Sequence, residues 1–246
     1  MPAVRRRQTS ISVFQPKLRR DSTTPGYSYC AVHKSYYNRF SEQGVGAPEA
    51  HPNLIAKKGV SRVNRSQRVP KASREMIDEP EESALTAEFI ELIMTVIEIH
   101  IKKLLPEEYS RIEVYASRLP LNERSPAYPF GGYVINFRGC TEGHQDDIDD
   151  EMCVVISWCP PGKSVGGEIA LFEEGLVIRT RQWDAVIFHS CDSTHFNLHV
   201  KGTRISIVLQ SDKHGKKWVE NKNNWTQSSD PFLDAIATAV EASLST

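Results

Sequence analysis

Gly143-His144-Gln145-Asp146 places an imidazole and a carboxylate two residues apart. On or beside a β-strand, positions i and i+2 project from one face, so both side chains address one point. Together they offer two ligands to a divalent ion. A third is available about fifty residues on, in Ser193-Thr194-His195-Phe196-Asn197. Two imidazoles and one carboxylate on one face of an octahedral ion leave the opposite positions open, as an iron(II) centre that takes up a cosubstrate and O2 requires. His-x-Asp alone is a weak signal, because so short a pattern recurs by chance. His189 and His199 compete with His195 for the third place. His199 lies five residues before Arg204, too close for both side chains to converge; His189 lies 15 residues before it and is the serious rival. His195 is preferred.

Nine residues past His195, Arg204-Ile205-Ser206 opens the apolar run Ile205 to Leu209. A buried guanidinium on a strand is costly unless it meets an anion. Its fork suits a carboxylate, and Ser206, two residues on, adds a hydroxyl from the same face. The expected anion is the distal carboxylate of a bound diacid. Asp147, Asp149, Asp150 and Glu151 read as a solvated loop behind the His-x-Asp step. Glu168 reads as a structural edge or a substrate-side contact, and Arg138 and Arg179 as surface charges or pocket-facing groups.

The order of these residues resembles the Fe(II)/2-oxoglutarate-dependent dioxygenase superfamily. The resemblance rests on His144-x-Asp146, Gly166-Gly167-Glu168, the run Asp184 to Ser190, His195 and Arg204-x-Ser206, and covers roughly residues 128 to 212. "THFN", "KGTRISIVL" and "SDK" followed by Trp218 further resemble a fungal branch related to TET/JBP-type nucleobase oxygenases. The resemblance implies a double-stranded β-helix (a cupin-like jelly roll) with Fe(2+) held by His144, Asp146 and His195. It implies 2-oxoglutarate bound at its distal end by Arg204 and Ser206, with Asn136 touching the cosubstrate. The implied reaction consumes O2, releases succinate and CO2, and hydroxylates or oxidises an organic substrate, with ascorbate as a possible reductant.

The elements that position these groups are legible in outline. Residues 81–105 carry apolar side chains at three- and four-residue steps, acids at the start and Lys102-Lys103 at the end, which reads as a helix with a wide buried face. His100 reads as a core-edge histidine on it. Pro106 stops that helix and opens a second, to about Ser117. From Tyr128 the texture changes to short β-rich runs, 132–137, 152–158, 168–172, 176–180, 184–189 and 204–211, divided by Gly and Pro turns. Strands this close, with no helix between them, predict an antiparallel sandwich or barrel. Asp230-Pro231 predicts a final helix over 230–244. The fold class is mainly β with flanking helices (α+β): a jelly roll over 128–212, supported by N-terminal helices.

Charge divides the chain differently. Residues 1–74 hold 15 Lys/Arg against three acids, net +12; residues 75–246 hold 15 against 28, net −13. Residues 1–79 therefore read as a basic, partly disordered arm, and 80–246 as the oxygenase domain. The arm's Tyr27, Tyr29, Tyr36, Tyr37 and Phe40, interleaved with Lys34 and Arg39, suit nucleic acid: cations for phosphates, rings for bases. A plain solvated tail with one short strand or helix packed on the domain is preferred narrowly; an Arg-rich presequence ranks last. Five cysteines without CxxC spacing and no secretory signal point to an intracellular protein, nuclear or cytoplasmic. The charged helix 85–105 is not a membrane span. Alternatives to a nucleobase oxygenase are a prolyl- or lysyl-type protein hydroxylase, a small-molecule oxygenase, and a non-catalytic cupin-like module. Oligomeric state is not legible.

Overall fold

In the computed structural model, residues 76, 78–119 and 125–220 are described, together with strands β1 (Lys17–Arg20), β2 (Ser28–Ser35), β3 (Glu42–Gln43) and β4 (Arg68–Val69). The helical pattern becomes α1 (Pro80–Leu104), with proline at its first position, Glu81 and Glu82 in the first turn, and Lys102 and Lys103 in the last. Proline's fixed φ suits a helix start, and charges of these signs complement the helix dipole. Pro106 begins α2 (Pro106–Ala116). The helix expected over 230–244 lies outside the described residues.

The short runs become β5 (Gly132–Phe137), β6 (Cys153–Trp158), β7 (Ser164–Gly166), β8 (Ile169–Leu171), β9 (Leu176–Ile178), β10 (Ala185–Phe188), β11 (His195–Asn197), β12 (Val200–Gly202) and β13 (Ile205–Gln210); α3 (Lys213–Glu220) follows. The large sheet runs β1-β2-β5-β13-β6-β10, and every pairing in it is antiparallel. The smaller layer has β11-β8-β9 and the ribbon β12-β7, and His144 joins it by bridging to His195. From β5 the chain crosses to the small layer at His144, returns at β6, visits β7 to β9, returns at β10, visits β11 and β12, and ends in β13. This alternation between two facing sheets is a jelly roll, the double-stranded β-helix.

Alternation along β13 separates two cores. Ile207 and Leu209 face the helices with Ile90, Met94, Ile101, Tyr109 and Ile112. Val208 faces the small sheet with Cys153, Val155, Ile169, Leu171 and Phe188. Arg204 and Ser206, in phase with Val208, therefore point between the sheets. The helices back the large sheet and leave the space between the sheets to the site.

Three expectations change. β7, β11, β12 and α3 have no counterpart in the sequence reading: the three strands and the two-turn helix are too short for a period to register, whereas β8 and β9, equally short, lie inside longer β-rich runs. The wide apolar face of α1 is only half used: Ile90, Met94 and Ile101 are buried, whereas Leu85, Phe89, Leu92, Val96 and Ile99 are exposed, as is His100. Lys34, grouped above with phosphate-binding cations, faces inward instead. It lies on β2, which pairs with β5 inside the large sheet, and is 1% exposed. Its Nζ donates to Ser83 Oγ at 2.9 Å and stands 3.4 Å from Glu82 Oε1.

This ion pair ties the N-terminal strand to α1, and removing one partner strands the other in a half-buried place. Lys34→Ala should lower stability by about 3 kcal/mol in urea unfolding. Lys34→Met, which keeps the apolar stem, should cost less.

Candidate functional site

Backbone pairing brings the candidate ligands together. His144 N–H donates to the His195 carbonyl (3.1 Å) and His195 N–H to the His144 carbonyl (2.9 Å), which sets the two residues directly opposite. The Asp146 N–H is held by the Ser190 carbonyl at 2.9 Å, beyond the end of β10. One ligand atom from each of His144, Asp146 and His195 lies within 4.8 Å of the other two. Asp146 Oδ1 is 3.8 Å from His144 Nε2, and Oδ2 is 3.5 Å from His195 Nε2. His189 does not join them: it is half-buried, with Nδ1 3.9 Å from Asp192 Oδ2. His199, which is exposed, offers its backbone carbonyl to Gly167 N–H.

The rings are oriented for a cation. Nδ1 of His144 lies 2.7 Å from the Glu142 carbonyl, and Nδ1 of His195 lies 3.0 Å from the Ser193 carbonyl. A carbonyl only accepts, so Nδ1 carries the proton and the Nε2 lone pair turns toward Asp146. That is the outer support that metal-ligating imidazoles use. An ion about 2.1 Å from each donor sets neighbouring donors about 3 Å apart, so both carboxylate–imidazole distances close by less than 1 Å. The residues fit a divalent metal. Side-chain exposure falls from 40% at His144 to 13% at His195, so the centre opens on the His144 side.

The loop after Asp146 is not uniformly solvated, as the sequence suggested. Asp147 is exposed, but Asp149 is 8% exposed and accepts from Ser190 Oγ at 2.8 Å. Glu151 accepts from Arg111 Nε at 2.9 Å and from Tyr115 OH at 3.0 Å, which fastens the loop to α2. Burial, reinforced by Asp146, raises the Asp149 pKa from 3.8 to about 7 despite the Ser190 hydrogen bond. Burial pulls the His195 imidazolium down, but Asp146 and the Ser193 carbonyl outweigh it and its pKa is raised.

Deeper between the sheets, Arg204 is 2% exposed. Its Nη2 reaches Ser157 Oγ at 3.5 Å, and its Nη1 has no hydrogen-bond partner. Burial lowers its pKa, opposed by Cys159 and Glu168. Gly167, at φ +80°, makes room for it: a Cβ there would stand 2.6 Å from Arg204 Cδ. Arg204 also borders a cavity of about 370 Å³ whose walls include Gly167, Glu168, Arg179 and Arg181. Arg138 is exposed, with its N–H on the Arg204 carbonyl.

Between guanidinium and ion site lies a polar row. Asn136 on β5 pairs with Ser206 on β13, which pairs with Ser157 on β6. Ser157 and Ser206 are buried, and Asn136 is half-buried. Sequence reasoning missed Asn197, whose amide Nδ2 is buried without a partner. It stands two residues after His195 and opposite Ile169 on β8, midway between Leu171, opposite His195, and Gly167 beside Arg204. The i+2 step from His195 was the available signal.

The fold and site define a jelly roll with a facial His–Asp–His group at one end and an unpaired arginine deeper in the same barrel. No protein-family model and no curated protein matches the chain. Among solved structures it is similar to NgTET1 in complex with 5mC DNA, at 17% identity and TM-score 0.46, over 61% of this chain and 58% of that one. It is also similar to an oxidoreductase of the 2OG-Fe(II) oxygenase family from Burkholderia pseudomallei, at 23% identity and TM-score 0.29, over 35% of this chain and 45% of that one. Each match spans less than two thirds of the solved chain.

Because the Asp149 carboxyl titrates near 7 when folded and near 3.8 otherwise, its contribution favours folding fully below pH 3.8 and is lost as pH rises through about 7. Asp149→Asn keeps an oxygen for Ser190 and acquires no charge. In chelator-treated protein its thermal midpoint should exceed the parent's at pH 8, with the gap closing toward pH 4.

Proposed function

We propose that the chain is an Fe(II)- and 2-oxoglutarate-dependent dioxygenase. The observation that carries this reading is the buried, unpaired Nη1 of Arg204 inside the barrel whose rim holds His144, Asp146 and His195. A guanidinium left without an anion there is unfavourable, and a dicarboxylate would supply the missing partner. In this reading His144, Asp146 and His195 hold the iron, and Arg204 pairs with the distal carboxylate of 2-oxoglutarate. Ser206, Ser157, Asn136 and Asn197 offer hydrogen bonds along its length. With O2, the iron and 2-oxoglutarate supply the oxidation that yields succinate, CO2 and hydroxylated substrate. The chain's own part is to fix the Nε2 lone pairs, keep water from the guanidinium and leave the His144 side open to substrate.

The oxygenase domain is taken as residues 80–246, with β2 contributed by the basic region 1–79. Five free thiols support an intracellular setting, nuclear or cytoplasmic. As substrate we favour a nucleobase in nucleic acid, brought by the +12 segment and turned out of its stack to reach the metal. A second reading, a lysyl-type side chain of a protein, is favoured by acids at the rim. Glu173 accepts from Thr194 Oγ1 at 2.5 Å and Glu174 from Ser193 Oγ at 2.7 Å, both beside His195.

Calorimetry of the full chain with Fe(II) and 2-oxoglutarate without O2 tests the first claim, and succinate release with O2 and ascorbate the second. His144→Ala and His195→Ala should abolish iron retention. Arg204→Ala should retain iron and weaken 2-oxoglutarate by about 100-fold, the loss of one buried charged pair. Failure of the parent to bind 2-oxoglutarate, or unchanged binding by Arg204→Ala, rules the reading out. Stoichiometric zinc with no cosubstrate binding favours the non-catalytic module.

Gly167→Ala pushes a methyl into Arg204 and should also weaken 2-oxoglutarate while sparing iron. Stimulation of succinate release by single-stranded DNA or by lysine-rich peptide decides between the two substrate classes.

A further inference from the structure

Helix α1 carries two apolar stripes, and only one of them is docked. Ile90, Met94 and Ile101 pack on the large sheet. On the other side Leu85 (69%), Phe89 (40%), Leu92 (67%), Val96 (56%) and Ile99 (66%) stand exposed. Nothing among the described residues covers them. Their steps alternate four, three, four, three, the spacing of a coiled-coil seam, over about 21 Å of helix. A continuous row of large apolar side chains in water is unusual for a surface that has no partner.

The charges beside the row indicate what covers it. Glu81 precedes the row, Glu88 and Glu91 lie in its first half, and Lys102 and Lys103 follow its end, Lys102 being held by Glu98 of its own helix at 2.8 Å. A second copy laid parallel would oppose acid to acid and lysine to lysine. Laid antiparallel, Glu88 of each copy comes near Lys103 of the other, which is favourable at both ends of the pair at once. The four residues Phe89, Leu92, Val96 and Ile99 step three, four, three and so read alike in both directions, while Leu85 falls opposite the stem of Lys103 of the second copy. Leu92 then seats near Val96 of the second copy, and Phe89 near Ile99 of the second copy. One surface thus supplies both halves of the contact, as a two-fold interface requires.

We propose that α1 is the interface of an antiparallel homodimer, with the row Leu85, Phe89, Leu92, Val96 and Ile99 as its seam. The contact lies on the far side of α1 from the large sheet, so each ion site keeps its own opening.

Sedimentation of the full chain from about 1 to 100 µM should show a species of twice the 27.8 kDa chain mass at the upper end. Leu92→Glu/Val96→Glu should raise the dissociation constant at least about 100-fold, since four carboxylates would enter the seam. Its thermal midpoint as a monomer should match that of the dilute parent, because both positions face water in the single chain. Lys103→Glu should weaken the dimer about tenfold, and Glu88→Lys with Lys103→Glu in one chain should restore it. A parent that stays monomeric throughout overturns the proposal, as does a dimer that survives Leu92→Glu/Val96→Glu. A fall in the thermal midpoint of the monomeric variant also overturns it, because another segment of the same chain would then cover the row.

Discussion

A charge without a partner sits at the centre of this protein. Arg204 is enclosed between two sheets, 2% exposed beside a cavity, and one side of its guanidinium meets no acceptor among the described residues. Much around it makes that arrangement tenable. Gly167 gives up its side chain to leave room, and Ser157 takes one weak hydrogen bond. The neighbouring row Asn136, Ser206 and Ser157 is polar where a barrel interior is ordinarily apolar. A fold tolerates such a feature when something binds there. Its place in the same barrel as the His–Asp–His group gives the arginine chemical meaning.

The ion site depends on a separate device. A reciprocal pair of backbone hydrogen bonds fixes residues 144 and 195 opposite each other, and two carbonyls fix the proton on each ring. Neither needs a metal, so the two Nε2 atoms converge on Asp146 before any ion arrives. Asp149 lies behind this group, buried and reluctant to ionise, held by Ser190. Below about pH 7 it keeps a second negative charge away from Asp146.

Supporting elements divide the remaining work. The helices pack one core against the large sheet, with Val32 of β2 in it, and the space between the sheets forms another. Lys34, Glu82 and Ser83 illustrate the cost of joining β2 to α1: a cation is buried where an apolar residue would pack more cheaply.

Local pattern alone determined much. The caps and charges of α1 and α2, the six longer β runs and the jelly-roll class follow from proline, dipole and alternation rules that act within a few residues. The i, i+2 steps of His144 with Asp146 and of Arg204 with Ser206 likewise put each pair on one face. Only tertiary structure decided which distant histidine approaches Asp146: spacing favoured His195 but left His189 as its rival, and the choice lies in the backbone pairing of 144 with 195. It also buried Asp149 and Lys34, whose neighbours in sequence are polar, and gave Asn197 its place midway along the barrel. It left half of the apolar face of α1 in water, because periodicity records how many faces are apolar and not how many partners a single chain supplies.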